Sequence, residues 1–259
     1  SPEAYSAPSG SNAEFHAPPS PGKETQHYAG SKAPEDCLII GAGLAGLTTA
    51  WQAAIQGLRV RLVTKGWGAH YWHSGCIDVL GFDPESPGKI LSSPAKALGK
   101  LIQDHPSHPY ALAGLAAIEK SLLALQYLCA QQGYPLHGAM DSNWLLPTSL
   151  GTLRPTCLVP ETMLAGDLRQ PDAILVVGFS QYIDFWPQLI AANLSAQGFS
   201  ATGISLDIQV LRRRSFVTAR VLAESFENAG FLDVIVQAVR KRLDQLSDFK
   251  PARLAFPAV

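Results

Sequence analysis

Gly41, Gly43 and Gly46 stand in the order G-x-G-x-x-G directly after the apolar run Cys37-Leu-Ile-Ile40. Residues of these types at this spacing suit a phosphate. The first glycine permits a tight turn, the second lets the backbone approach a pyrophosphate, and the third lets the following helix pack closely. A helix opening at Leu44 and Ala45 presents unpaired N–H groups and the positive end of its dipole. Gly41-Ala42-Gly43-Leu44-Ala45-Gly46 is therefore expected to cradle a dinucleotide. About 20 residues on, a carboxylate ordinarily holds a ribose hydroxyl. Here Thr64-Lys65-Gly66 occupies that place. The lysine suits the phosphorylated ribose of an NADP-type cofactor, or the phosphate or ribose of a flavin nucleotide with Thr64 as hydrogen-bonding partner. Spacing does not separate the two.

The segment Trp67-Gly-Ala-His-Tyr-Trp-His-Ser-Gly-Cys-Ile-Asp-Val-Leu-Gly-Phe82 is rich in Gly, Trp and His for a connector. Ser74, Gly75 and Cys76 are expected against the cofactor, where a hydroxyl and exposed N–H groups can bond a flavin or its phosphate. His70, His73 and Asp78 are the titratable groups nearby, and none completes an acid–base pair, so no catalytic residue is assigned. Arg154, amid small hydroxyl residues, reads either as an anion contact or as a structural arginine paired with Glu161 or Asp167. Arg212-Arg213-Arg214 reads most simply as a solvated loop.

The elements that must position these residues follow from periodicity. Leu44, Leu47, Trp51 and Ile55 recur at three and four residues, a helical stripe, and Gly57 stands where a C-cap glycine belongs. Leu58–Val63 reads as the second strand. A long helix carrying Leu112, Leu115, Ile118, Leu122, Leu125 and Cys129 is predicted to stop at Gly133. Residues 134–170 are broken by prolines. A second strand-to-helix unit starts at Ile174-Leu-Val-Val-Gly178 and ends near Gly198, without the glycine fingerprint and so without a predicted phosphate cradle. Phe199–Asp207 reads as a strand, 217–229 and 231–246 as helices, and Arg253–Val259 as a strand whose open edge suggests a truncated chain.

Composition sets the bounds. The chain has 259 residues, 47% hydrophobic and 16% charged, with a net charge of −1. That length accommodates a substantial core, and the charge offers no case for nucleic acid. Cys37, Cys76, Cys129 and Cys157 form no C-x-x-C pair, which argues against a zinc or iron–sulfur site and fits reduced thiols in a cytoplasmic protein. No apolar run approaches the roughly 18 residues of a membrane span. Residues 1–34, rich in Ser, Pro, Ala and Gly, read as a disordered extension. The absence of an initiator Met suggests a processed or incomplete chain.

Taken together, Ile39-Ile-Gly-Ala-Gly-Leu-Ala-Gly-Leu47, Val63-Thr-Lys-Gly66 and Ser74-Gly-Cys-Ile-Asp-Val-Leu80 resemble the family of B-type subunits of anaerobic glycerol-3-phosphate dehydrogenase. His108-Pro-Tyr-Ala-Leu112, Pro147-Thr-Ser-Leu-Gly-Thr-Leu-Arg-Pro-Thr156 and Val176-Val-Gly-Phe-Ser-Gln-Tyr-Ile-Asp-Phe185 look like its further segments in the same order. The likeness covers residues 36–259. It implies a flavoprotein of the fumarate reductase and succinate dehydrogenase group, with FAD, or alternatively FMN, as cofactor. In that family a basic residue follows the second strand, so Lys65 favours flavin over NADP.

The implied fold class is α/β: a Rossmann-like FAD-binding βαβ unit with a mostly parallel sheet, plus a second α/β region, incomplete at the C-terminus. The implied domains are the extension 1–34, the flavin-binding unit and cofactor loop 35–110, and a helical and α/β region 111–259. The family continues beyond this C-terminus with a glycine-rich segment that closes on the flavin, and the extension is not part of its pattern. The implied activity is oxidation of sn-glycerol 3-phosphate to dihydroxyacetone phosphate. Electrons would pass to quinone through a second flavoprotein subunit and an iron–sulfur membrane-anchor subunit, placing the chain at the inner face of the cytoplasmic membrane. Competing readings make it a non-catalytic electron-transfer or scaffolding subunit of that complex, or an NADP-dependent reductase built on Lys65.

Overall fold

A computed structural model describes residues 34–69, 73–209, 211, 216–246 and 249–258. All but the last residue of the expected N-terminal extension, His70, and the Arg212–Arg214 run lie outside the described residues. The described residues fall into two compact units, the first ending at His73 and the second starting at Ser74.

In the first unit, strand β1 (Cys37–Ala42) leads into helix α1 (Leu44–Ile55) and then strand β2 (Val60–Trp67). The two strands pair in parallel. β2 starts two residues later than expected because Arg59 is drawn into an ion pair with Asp36 at 3.0 Å, just before β1. α1 ends as read, with Gly57 at φ +81 past its last turn. Its apolar stripe is only half covered: Leu44, Leu47 and Ile55 remain 39–48% exposed. Strands lie about 4.8 Å apart, so a sheet of two is too narrow to bury the face of a helix.

The second unit begins with residues packed under helices α2 (Pro94–Asp104), α3 (Pro109–Ala113) and α4 (Leu115–Gln131). The single helix predicted here is two, because Gly114 adopts φ +82 and breaks it. Ile118, Leu122, Leu125 and Cys129 do pack on the core, whereas Leu112, ahead of the break, is 78% exposed. Short strands β3 (Leu136–His137), β4 (Trp144–Pro147), β5 (Leu153–Thr156) and β6 (Val159–Pro160) follow. They pair antiparallel as β3–β6 and β4–β5. Their prolines (Pro147, Pro155, Pro160) are tolerated in two-stranded ribbons, where every strand is an edge.

Residues 74–92 belong to this unit rather than to the nucleotide-binding unit, so the division falls earlier than the boundary at 110 implied by the resemblance. The reason lies in long-range pairing. Ile77 bridges Leu158, and the Asn143 side-chain amide donates to the carbonyls of Leu80 (3.0 Å) and Leu91 (2.8 Å).

The largest core belongs to the C-terminal half. Strands β7 (Ile174–Phe179), β8 (Ala201–Leu206) and β9 (Arg253–Ala255) form a parallel sheet in the order β8-β7-β9. All six residues of β7 are buried, as expected when both sheet faces are covered. Helix α5 (Pro187–Ala196) packs on the side of Val176 through Ile190 and Leu194. Helices α6 (Ala219–Phe226) and α7 (Ala229–Asp244) pack on the side of Leu175, Val177 and Phe179 through Leu222, Phe231 and Ile235. A Cβ at Gly178 would strike the Pro187 ring. This glycine admits the N-terminus of α5 and makes no phosphate cradle.

Candidate functional site

In the first unit the fingerprint residues divide their tasks as their spacing implies. Gly41 adopts φ +104, a conformation that side chains resist. A Cβ on Gly46 would collide with the Gly41 carbonyl, so helix and turn touch backbone to backbone. Gly43 differs from Gly46 in that a Cβ there would meet nothing within 4 Å, and from Gly41 in its ordinary φ of −75. It is also the N-cap of α1, so no side chain caps the helix, and the first turn carries no acidic residue. The leading N–H groups of a helix have no intrahelical acceptors. The space beside Gly43 and the amides of Leu44, Ala45 and Gly46 therefore fit an anionic pyrophosphate.

The second feature is a bulge. Pairing between β1 and β2 runs in register from Cys37 with Val60 to Ile40 with Val63, then shifts so that Ala42 pairs with Trp67. Gly41 thus stands opposite Thr64, Lys65 and Gly66. The Thr64 hydroxyl closes the bulge locally, donating to the Gly66 carbonyl at 2.6 Å and accepting from the Gly66 N–H at 3.3 Å. Lys65 is exposed at its tip. Bulges re-aim side chains, and this one sets the exposed Lys65 opposite Gly41 of the glycine turn. Glycine turn and lysine, some 20 residues apart in sequence, come together at the carboxyl end of one strand pair.

The remaining candidates fall in the second unit. Cys76 is buried, and its thiol lies 3.6 Å from the Met163 sulfur. Burial pushes that thiol's pKa up, so the side chain is a protonated core group and only its backbone is left for a cofactor. Gly75 adopts φ +83 beneath the Tyr134 hydroxyl. The Ser74 hydroxyl accepts from Arg154 Nη1 at 2.9 Å. Arg154 also grips the Asp78 carboxylate through Nε at 3.2–3.3 Å and Nη2 at 2.8 Å. Its partner is thus Asp78, not Glu161 or Asp167. Asp167 is taken by its neighbour Arg169 at 2.7 Å. Sequence reasoning named Ser74, Asp78 and Arg154 separately but missed their association. Arg154 and Asp78 are 76 residues apart, and no local periodicity reports such a pairing. His73 is exposed, and His70 lies outside the described residues.

No described helix is long and apolar enough to cross a membrane. All four cysteines are free thiols.

Comparison with known proteins agrees with this geometry. Residues 36–248 match the family model described as FAD binding domain. The chain is 35% identical over 209 residues to the B-type subunit of anaerobic glycerol-3-phosphate dehydrogenase from Pectobacterium carotovorum subsp. carotovorum (strain PC1), covering 76% of this chain and 49% of that protein. It is 33% identical over 183 residues to the protein of the same name from Yersinia pestis bv. Antiqua (strain Antiqua), covering 69% and 42%. The chain spans about half the length of the curated relatives it matches. No solved structure matches it. With an open cradle at Gly43, a closed contact at Gly46 and a family match across most of its length, the chain belongs to the FAD binding domain family, and FAD is its cofactor.

Proposed function

We propose that this chain is the flavin-binding part of a dehydrogenase subunit that oxidises sn-glycerol 3-phosphate to dihydroxyacetone phosphate. Electrons would leave for a quinone through a second flavoprotein subunit and an iron–sulfur membrane-anchor subunit. Through that anchor the chain would sit peripherally at the inner face of the cytoplasmic membrane. The observation that carries the reading is the β1–α1 turn, closed backbone to backbone at Gly46 and open at Gly43, in a chain similar to named glycerol-3-phosphate dehydrogenase subunits.

In this reading Gly41, Ala42, Gly43, Leu44, Ala45 and Gly46 hold the pyrophosphate through backbone amides, and Thr64, Lys65 and Gly66 engage the nucleotide phosphate or ribose. Ser74 and Gly75, with the backbone of Cys76, supply further contacts to the flavin. FAD held there would supply the redox chemistry, as a two-electron acceptor for the substrate. The chain's own residues bind and orient. Lys65 offsets phosphate charge, and the α1 amides replace water around the pyrophosphate. A carboxylate at position 65 would repel the phosphates where the lysine attracts them.

A second reading, a non-catalytic electron-transfer or scaffolding subunit, is favoured by one observation. The one carboxylate of the cofactor loop, Asp78, is engaged by Arg154 and not poised as a base. The two readings separate in an anaerobic titration of the FAD-loaded full-length subunit without partners. Bleaching of the flavin band by sn-glycerol 3-phosphate supports the dehydrogenase. A flavin that dithionite reduces but the substrate does not supports the scaffold. A colourless preparation that releases no FAD on denaturation and cannot be reconstituted sinks both.

A further inference from the structure

Asp78 and Ser74 flank a backbone that is fastened without them. The Ile77 N–H donates to the Leu158 carbonyl at 2.9 Å, and the N–H groups of Cys157 and Leu158 return bonds to the Ile77 carbonyl at 3.0 Å each. The Thr156 hydroxyl donates to the same carbonyl at 3.2 Å. Segment 74–78 is thus bolted at its centre by main chain. Arg154, held in β5 opposite Leu146 of β4, reaches past that bolt to the two side chains on either side of it.

The energetics separate holding from aiming. The pair is partly solvated, with side chains 27% (Arg154) and 47% (Asp78) exposed. Ion pairs so exposed contribute about 0–1 kcal/mol to stability. A guanidinium is nonetheless a rigid planar fork. With Nε and Nη2 on Asp78, Nη1 is directed at Ser74 Oγ in one orientation. One lone pair of that oxygen is then committed to Arg154, so the hydroxyl proton must point elsewhere. The Cys76 thiol beside it is a weak acceptor, and a ligand oxygen would displace it.

We propose that Arg154 is a positioning residue that presets the Ser74 hydroxyl as a hydrogen-bond donor to an oxygen of the bound flavin nucleotide, with Asp78 fixing the guanidinium. The inference rests on the reading that Ser74 contacts the flavin. All three residues belong to the second unit, and their mutual geometry needs nothing outside it.

The test is a double-mutant cycle on the full chain, read as FAD affinity by fluorescence quenching and as thermal stability of the apo chain. Ser74→Ala and Arg154→Ala each weaken FAD binding about tenfold, the typical worth of one charge-assisted or ligand hydrogen bond. The double variant is no weaker than either single one, because both remove the same donor. The apo melting temperature of Arg154→Ala falls by about 4 °C or less. Arg154→Lys keeps the charge and the Asp78 pairing but loses the fork, so it restores part of the affinity and serves if the alanine variant does not fold. Unchanged affinity in Ser74→Ala removes the flavin contact itself. Weakening by Ser74→Ala with none from Arg154→Ala, or strictly additive losses, overturns the positioning role alone. So does a melting loss above about 10 °C with unchanged affinity, which marks a structural latch.

Discussion

Gly46, in the first turn of α1, rests directly on the carbonyl of Gly41, while Gly43 between them faces open space. One G-x-G-x-x-G run thus contains, at Gly46, a position closed by protein and, at Gly43, a position left open. The two respond differently to the same substitution. Gly46→Ala forces apart two backbones and destabilises the first unit by about 1–3 kcal/mol, read as a lower urea midpoint. Gly43→Ala leaves that midpoint within about 0.5 kcal/mol and weakens FAD binding instead, by tenfold or more. Equal stability losses in the two variants would contradict the assignment of Gly43 to the ligand.

Lys65 makes a sharper test of the bulge. It is exposed, so Lys65→Gln has little effect on folding. Loss of one cation beside the phosphates should weaken FAD binding several-fold at low salt, and the difference should shrink as ionic strength rises. Isothermal titration at two salt concentrations decides it. A salt-independent difference points to a packing role.

The entry to β1 carries a pH signature. The Arg59 side chain, and then its backbone N–H, hold the Asp36 carboxyl down at about 2, against an ordinary 3.8. A carboxylate whose folded-state pKa is depressed stabilises the folded state above its unfolded pKa and loses that contribution as pH falls through the folded one. The ion pair joining the starts of β1 and β2 should therefore persist at neutral pH and fade between about pH 4 and 2. A carbon-detected NMR titration should place the Asp36 midpoint near 2, and Arg59→Gln should move it upward. A wild-type midpoint near 3.8 rules the pairing out.

The second unit depends on its aromatic core. Phe179 at the end of β7 is 2% exposed and lies 5.9 Å from Phe226 and 6.5 Å from both Phe231 and Phe256, ring centre to ring centre. Phe179→Ala should cost about 3–5 kcal/mol and lower the cooperative melting transition of this unit. A loss under 1 kcal/mol would mean that the three-layer packing is wrong.

Much of this was legible in the residues alone, for reasons of range. Local rules govern a phosphate-cradling turn, so three glycines and an apolar run were enough to locate it, its helix and the C-cap at Gly57. Continuous apolar strands such as Ile174–Phe179 announce burial on both faces. Prolines hid the ribbons β3–β6 and β4–β5, because period-two patterning needs more residues than such short strands contain. Gly114 divided a helix that periodicity joined, since a positive φ is a backbone state and leaves no mark on apolar spacing.

The sequence by itself determined the chemistry on offer: a turn for a pyrophosphate, a lysine where a carboxylate is usual, a serine and glycine in the next loop. Tertiary structure decided how those groups are used. It set Lys65 on a bulge facing Gly41, turned the Cys76 thiol into the core, and gave Arg154 to Asp78 and Ser74. Each of these decisions joins residues distant in the chain, where pairing register, burial and a rigid guanidinium fork outweigh any local preference.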